Sequence, residues 1–163
     1  VKDKLRRNVT MIFNTDVAFA ALKTGGEVVT WGRSDCVHPT FKCGGNSSDV
    51  RNKLLGNVTT IFSSHKVFAA LKAGGEVVTW GKPNHGGDSS KVKDQLRGDV
   101  TALFSTRFSN DGGALAALKA GGEVVTWGMG KKGGNSFRVK GKLRGKVTNI
   151  VSTDGAFAAL LAC

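Results

Sequence analysis

Four copies of one phrase are written along this chain, and the fourth breaks off part-way. The phrase opens V-x-x-x-L-x-x-x-V at Val1, Val50, Val92 and Val139. It continues through a hydrophobic run and an Ala-Ala-Leu stretch. It closes in G-G-E-V-V-T-W-G, ending at Trp31-Gly32, Trp80-Gly81 and Trp127-Gly128, with no fourth occurrence. One such unit is a single supersecondary element and cannot bury its apolar face alone. The units must stack on one another, which restricts the chain to solenoids, propellers and related arrays.

The 163 residues suffice for one domain with a core, and 40% hydrophobic residues is a globular composition. No apolar run approaches the roughly 20 residues that a membrane-spanning helix needs. Glycines number 23 against two prolines, and without a collagen period this points to many tight turns in a β-rich repeat. The chain reads as a single repeat domain, 1–163, with units 1–49, 50–91, 92–138 and a partial 139–163. The first unit is lengthened by a loop at 33–43 and the third by an extra turn within 107–113. Loops are where a repeat scaffold tolerates insertion. A chain beginning at Val1 reads either as a mature form after removal of a targeting segment or as a fragment of a longer repeat protein.

Each unit reads as a short helix followed by three strands. Val50 and Leu54, like Val92 and Leu96, are spaced i, i+4 and give one apolar stripe over two helical turns. Ser48, Ser90 and Ser136 are the expected N-caps, and Gly98 and Gly145 the expected stops. β-branched runs at 58–62 and 147–151 predict the first strand. Runs at 68–72 and 77–80 predict a hairpin, joined at Gly74-Gly75 by a primed turn; Gly25-Gly26 and Gly121-Gly122 repeat it. Trp31, Trp80 and Trp127 close the third strand and are expected to fill the space between units rather than to stack a ligand.

The run A-A-L-K-A-G-G-E-V-V-T-W-G at 69–81, with 86–96 after it, resembles the regulator-of-chromosome-condensation repeat family of β-propellers. It is still more similar to the G-G-D-S-S…V-V-T-W-G repeats of dinoflagellate algal proteins. The resemblance implies stacked blades. Members of the family serve as exchange factors for small GTPases, chromatin binders, enzyme inhibitors and scaffolds, so fold alone does not fix function. Three units and part of a fourth are fewer than a full propeller carries, and a helix stands where a blade has its outer strand. The expected fold is therefore mainly β with short helices: three and a half helix-plus-three-strand units in a propeller-like small ring or short curved array. The half-hairpin after Leu161 leaves either a place for the N-terminal part of the chain or a strand edge for a partner.

Candidates for chemistry are few. Cys36 and Cys43 lie in the long first loop, and their spacing allows a disulfide, a pair of free thiols, or a metal site with His38. A disulfide implies an oxidising compartment; three ligands with no fourth match no zinc pattern. Cys163 is left over. His38, His65 and His85 recur at no equivalent place and read as surface loop or strand residues. Glu27, Glu76 and Glu123 read as hairpin structure. The glycine loops 44–48 and 86–90 precede helices, a geometry that can cradle phosphate. They lack G-x-x-x-x-G-K-[ST], and their repetition points to a structural cap. No cofactor, metal or catalytic constellation is expected.

Charge is the strongest functional signal: 24 Lys+Arg against 12 Asp+Glu, net +12. Such a field favours an acidic partner. Lys4, Arg6, Lys53, Lys93, Arg97, Lys142 and Arg144 recur on the helices' polar face. Lys4, Lys53, Lys93 and Lys142 are expected at equivalent places, so that stacking lines them along one basic rim. Charge runs are more often simply solvated faces, but here they recur in every unit. The function expected is a non-catalytic repeat scaffold docking on an acidic protein surface, as an accessory subunit of a larger assembly. With the algal resemblance, that assembly is photosynthetic or plastid, and an organelle lumen (plastid or thylakoid) or export ranks ahead of cytoplasm or nucleus. Nucleic-acid or chromatin binding is the alternative, although the absence of Tyr argues against a base-stacking platform. A propeller-type enzyme inhibitor is a third reading, with 35–42 as the inserting loop.

Overall fold

The computed structural model describes residues 1–35, 43–106 and 112–162. Three antiparallel sheets of three strands follow one another along the chain. The first is β1 (Val9–Asn14), β2 (Ala18–Lys23) and β3 (Val28–Gly32); the second is β4 (Val58–Ser64), β5 (Val67–Lys72) and β6 (Val77–Gly81). The third is β7 (Val100–Ser105), β8 (Ala114–Lys119) and β9 (Val124–Gly128), and a two-stranded sheet of β10 (Val147–Ser152) and β11 (Phe157–Leu161) completes the series. The chain is mainly β with short helices, as the repeat pattern predicts.

The helices differ in kind from the expectation. Lys2–Leu5, Ser48–Leu54, Ser90–Leu96 and Phe137–Leu143 are all 3-10 helices. Segments this short gain little from α-helical propagation. Two N-caps move one residue earlier, from Ser48 to Ser47 and from Ser90 to Ser89, while Ser136 holds its expected place; none makes a side-chain capping bond. The carboxyl or amide oxygen one residue earlier does that work. Asn46 Oδ1 accepts the Ser48 N–H at 2.9 Å, Asp88 Oδ1 that of Ser90 at 2.8 Å, and Asn135 Oδ1 that of Phe137 at 3.0 Å. These are Asx turns, which compete with an α-helical start. The serines are engaged elsewhere. The hydroxyls of Thr30, Thr79 and Thr126, in the V-V-T-W-G strand, each lie 2.9 Å from Ser47, Ser89 and Ser136 respectively. Each unit's third strand is thereby tied to the start of the next helix.

Register is pinned at both ends of the hairpin. Every first strand carries a bulge, at Thr10, Thr59, Thr101 and Thr148. In each case the threonine hydroxyl donates to a carbonyl across the pair, those of Leu22, Leu71, Leu118 and Leu160. The G-G turns are not the two-residue primed turns expected. Gly75 N–H donates to Lys72 O at 2.8 Å and Lys72 N–H to Glu76 O at 2.9 Å. Of the Gly74-Gly75 pair only Gly75 is left-handed, with φ +75°. This is a three-residue loop ending in a left-handed glycine. That second glycine also abuts the next sheet. A Cβ on Gly75 would lie 2.5 Å from Asp99 N, and one on Gly26 2.4 Å from Val58 N. Their carbonyls accept the N–H of Val100 and Val58, each at 3.3 Å.

Three hydrophobic clusters lie between successive sheets. β2 faces the second sheet with Ala18, Ala20 and Leu22 against Val58, Ile61, Phe68 and Trp80. β5 faces the third with Val67, Ala69 and Leu71 against Leu96, Val100, Leu115 and Trp127. Ala116 and Leu118 meet Val147 and Ile150. β5 and β8 are apolar on both faces because a sheet lies on either side of each. Trp80 stacks on Phe68 at 5.2 Å and donates Nε1–H to Gly44 O at 3.1 Å; Trp127 Nε1–H reaches Gly86 O at 3.0 Å. Trp31 stacks on Phe19 at 5.4 Å, but among the described residues no sheet covers it. Phe19 is 43% and Ile12 60% exposed, where their equivalents Phe68 and Ile61 are 0% and 2%.

Two outcomes follow. Gly75→Ala is expected to cost about 2–4 kcal/mol in urea unfolding, from positive φ and backbone overlap. Gly74→Ala, with φ ordinary and nothing within 4 Å of its Cβ, is expected within about 0.5 kcal/mol of the parent. Trp80→Ala is expected to cost about 3–5 kcal/mol and Trp31→Ala about 1–2 kcal/mol; equal losses would contradict the packing described.

Candidate interaction surface

The 3-10 helices turn one side inward. Leu54 and Leu96 are buried, with Val50 and Val92 packed against the same clusters. The intervening positions are left outside, and Lys4, Arg6, Lys53, Lys93, Arg97, Lys142 and Arg144 are all exposed. One expected equivalence needs correcting. Lys4, Lys53 and Lys142 stand three residues after Val1, Val50 and Val139, but Lys93 stands one residue after Val92, level with Lys2, Arg51 and Lys140. The third unit carries Gln95 in the row of Lys53. The basic side chains thus come from two adjacent rows.

They also differ in how they are neutralised. Lys53 Nζ lies 2.8 Å from Glu76 Oε1, and Lys72 Nζ 3.5 Å from Glu76 Oε2. The Lys53 hydrogen bond leads the influences that hold the Glu76 carboxyl below its ordinary range, against a smaller desolvation effect. Arg97 pairs with Asp94 at 2.8 Å and Arg6 with Asp3 at 3.3 Å, both on open surface, where such pairs contribute little. Lys4, Lys93, Lys142 and Arg144 form no ion pair among the described residues. An open groove of about 960 Å³ runs between the second and third of these helices, with Lys53, Glu76, Asp88, Lys93 and Arg97 in its walls. Its mixed lining gives it no single-sign field.

The remaining candidates separate. Cys43 is buried and disulfide-bonded. Cys36, His38, most of the 35–42 loop and Cys163 lie outside the described residues. Among the described residues no group of three or more His, Cys, Asp or Glu side chains is placed to hold a metal, and no helix is long and apolar enough to cross a membrane.

His65 and His85 overturn the surface reading. His65, after β4, reaches back to the β1–β2 turn, with Nδ1 2.5 Å from Asp16 Oδ2 and its carbonyl accepting the Asp16 N–H at 3.2 Å. His85 stacks 6.3 Å from His65 and is 2% exposed. Burial, then the positive charge of Lys82, pushes the His85 pKa down to about 4. Nothing in the repeat signals this, because the corresponding place in the next unit, after Gly130-Lys131, is Lys132.

No protein-family model and no curated protein matches the chain. Solved structures do. Prp20p from Saccharomyces cerevisiae, whose structure was described with its binding to Gsp1p and histones, superposes at a TM-score of 0.56 with 17% identity, over 94% of this chain and 41% of that one. Human WBSCR16 superposes at 0.51, with 17% identity, over 93% and 37%. Yeast RCC1 (Prp20) bound to Kap60 gives 0.47, with 18% identity, over 76% and 30%. The chain has an RCC1-like fold. It spans about two fifths or less of the length of these proteins.

The buried His85 predicts acid lability. The unfolded chain takes up a proton near the ordinary histidine pKa of 6.5, and the folded chain only near 4. Stability is therefore complete above about 6.5 and is lost as pH falls toward 4, by at most about 1.4 kcal/mol per pH unit for one proton. Urea titrations across that range should show a shallower loss for His85→Gln than for the parent. Parallel curves would exclude His85 as the source.

Proposed function

We propose that this protein is a non-catalytic interaction module whose basic rim docks on an acidic protein surface. The observation that carries the reading is the set of exposed cations without an ion pair among the described residues, Lys4, Lys93, Lys142 and Arg144, on or beside the first, third and fourth of the four helices. A field of one sign on a stacked scaffold accelerates encounter and fixes register with a complementary surface. The RCC1-like fold supports a protein-binding use, since Prp20p binds the protein Gsp1p. The narrower form, an accessory subunit of a plastid or other photosynthetic assembly, rests on the sequence resemblance to algal repeats. Co-purification from native membranes or stroma at low salt tests it.

The second reading is nucleic-acid or chromatin binding, favoured by net +12 and by the histone binding described for Prp20p. The two are separated by salt. A phosphate-dominated interface loses affinity for duplex DNA steeply between about 50 and 200 mM salt, and a chain that shows no DNA affinity at the lower value leaves the protein partner standing.

Reversing Lys4, Lys93, Lys142 and Arg144 to Glu is expected to leave the fold intact, since each exposed change is usually within about 0.5 kcal/mol. Binding to the native partner is expected to fall at least about tenfold, mostly through the association rate. Lys53 is left out because its reversal would also break the Glu76 pair. Unchanged binding by the quadruple variant would show that the rim is only a solvated face.

A further inference from the structure

We propose that Phe137 and the cations around it form a patch that seats the protein on the surface of an anionic phospholipid bilayer. The patch shares no residue with the basic rim and does not rest on the role given to that rim. Phe137 opens the helix Phe137–Leu143 and is 81% exposed. In Ser48–Leu54 and Ser90–Leu96 the same place is held by Ser48 and Ser90. Both serines are exposed, although further sheets stack beyond each of those helices. Exposure therefore belongs to the position itself and persists however many sheets follow. One apolar side chain in solvent is ordinary. The setting of this one is not.

Between Glu123 and Asp154 the chain has no Asp or Glu and seven Lys or Arg. The corresponding stretches of the earlier units are mixed in sign. Asp49 stands where Arg138 does, Asp88 where Asn135 does and Asp94 where Gly141 does. A three-residue 3-10 turn, Gly130–Lys132, precedes the ring. A Cβ on Gly130 would lie 3.6 Å from Asn135 Cβ, and Asn135 Oδ1 accepts the Phe137 N–H at 3.0 Å. The turn is thus held against the start of the helix, which brings Lys131 to the side of the patch. Lys131, Arg138 and Lys140 are exposed. None of the three forms an ion pair among the described residues.

A projecting ring flanked by unpaired cations fits a partner that offers anionic groups above an apolar layer. An anionic bilayer does so over its whole surface. The ring enters the interface, while lysine and arginine stems lie along it and keep their heads among the headgroups. Clustered cations supply the electrostatic half of such binding and an apolar anchor the other half. Phe137 lines neither of the two grooves along the helices, of about 960 and 390 Å³, so it projects outward and closes no pocket of its own. A single-stranded nucleic acid is held by rings in succession, one for each base. The described helices expose no second ring.

The test is co-sedimentation of the full chain with vesicles at physiological salt, made of phosphatidylcholine alone or of phosphatidylcholine mixed with phosphatidylserine. Binding is expected to the mixed vesicles and not to phosphatidylcholine alone. Phe137→Ser is expected to weaken it about tenfold. Replacing Lys131, Arg138 and Lys140 together by Gln is expected to weaken it roughly 100-fold. Replacing Lys2, Arg7 and Arg51 by Gln makes the same change in charge at exposed places of the first two units and is expected to cost less than about threefold. A second measurement leaves the sequence untouched: a nitroxide-labelled lipid in the mixed vesicles should broaden the ¹⁵N amide signals most over 130–140. The proposal fails if the chain binds neither vesicle or both equally, if Phe137→Ser binds as the parent does, or if the control triple loses as much as the patch triple. It also fails if broadening centres elsewhere. Binding of single-stranded polyuridylate that depends on Phe137, with vesicle binding that does not, would make a nucleic acid the occupant and overturn the proposal. The vesicles hold no protein, so loss of partner docking by the rim-reversed chain and loss of vesicle binding are separate outcomes.

Discussion

The second glycine of each hairpin turn fastens one sheet to the next. Gly26, Gly75 and Gly122 offer their carbonyls to the N–H of Val58, Val100 and Val147 at 3.1–3.3 Å. At Gly26 and Gly75 the space a Cβ would need is filled by the backbone of the following sheet. Contact between main chains sets the separation of the sheets before any side chain is chosen. The side chains then have a fixed gap to fill, which is why alanine recurs in the middle strand and tryptophan in the third. A larger middle-strand residue would push against a junction that has no freedom to open.

Polar groups of the repeat serve the same end. The threonine of each V-T pair closes a bulge that would otherwise let the first strand slip, and a one-residue slip would exchange its two faces. The threonine of V-V-T-W-G ties the third strand to the serine before the next helix. Lys23–Glu27 and Lys72–Glu76 bracket the turns themselves. Nearly every residue that recurs at fixed spacing therefore has a structural duty. Chemistry specific to this chain is left to positions that do not recur, or to exposed places such as the helix rims.

That division explains what can be read from the sequence. Strand positions, the hairpin and the inter-sheet place of Trp80 and Trp127 follow from periodicity and from large aromatics needing cover. The helix type does not, because V-x-x-x-L suits an α-turn, whereas the Asx turns at Asn46, Asp88 and Asn135 wind the segment more tightly. The capping bonds move for the same reason: serine is a good cap in general, but here its hydroxyl is already taken by a threonine distant in sequence. The burial of His85 and the Asp16–His65 contact depend on which loops meet across two sheets, and no local pattern carries that. Residue type alone sets Lys93 with Lys53; counting from Val92 places it beside Arg51.

The surface proposed for docking differs physically from the interior that presents it. Unpaired cations on exposed side chains have a reach of about a Debye length, roughly 8–10 Å at physiological salt. In the proposed role they gather a partner and orient it, yet read little beyond sign. The interior selects by shape instead: indole on phenyl ring, and indole N–H on a glycine carbonyl, fix one sheet against the next. Those buried contacts are screened far less by salt than the exposed charges are, so the array holds its cations in place under conditions that weaken their field.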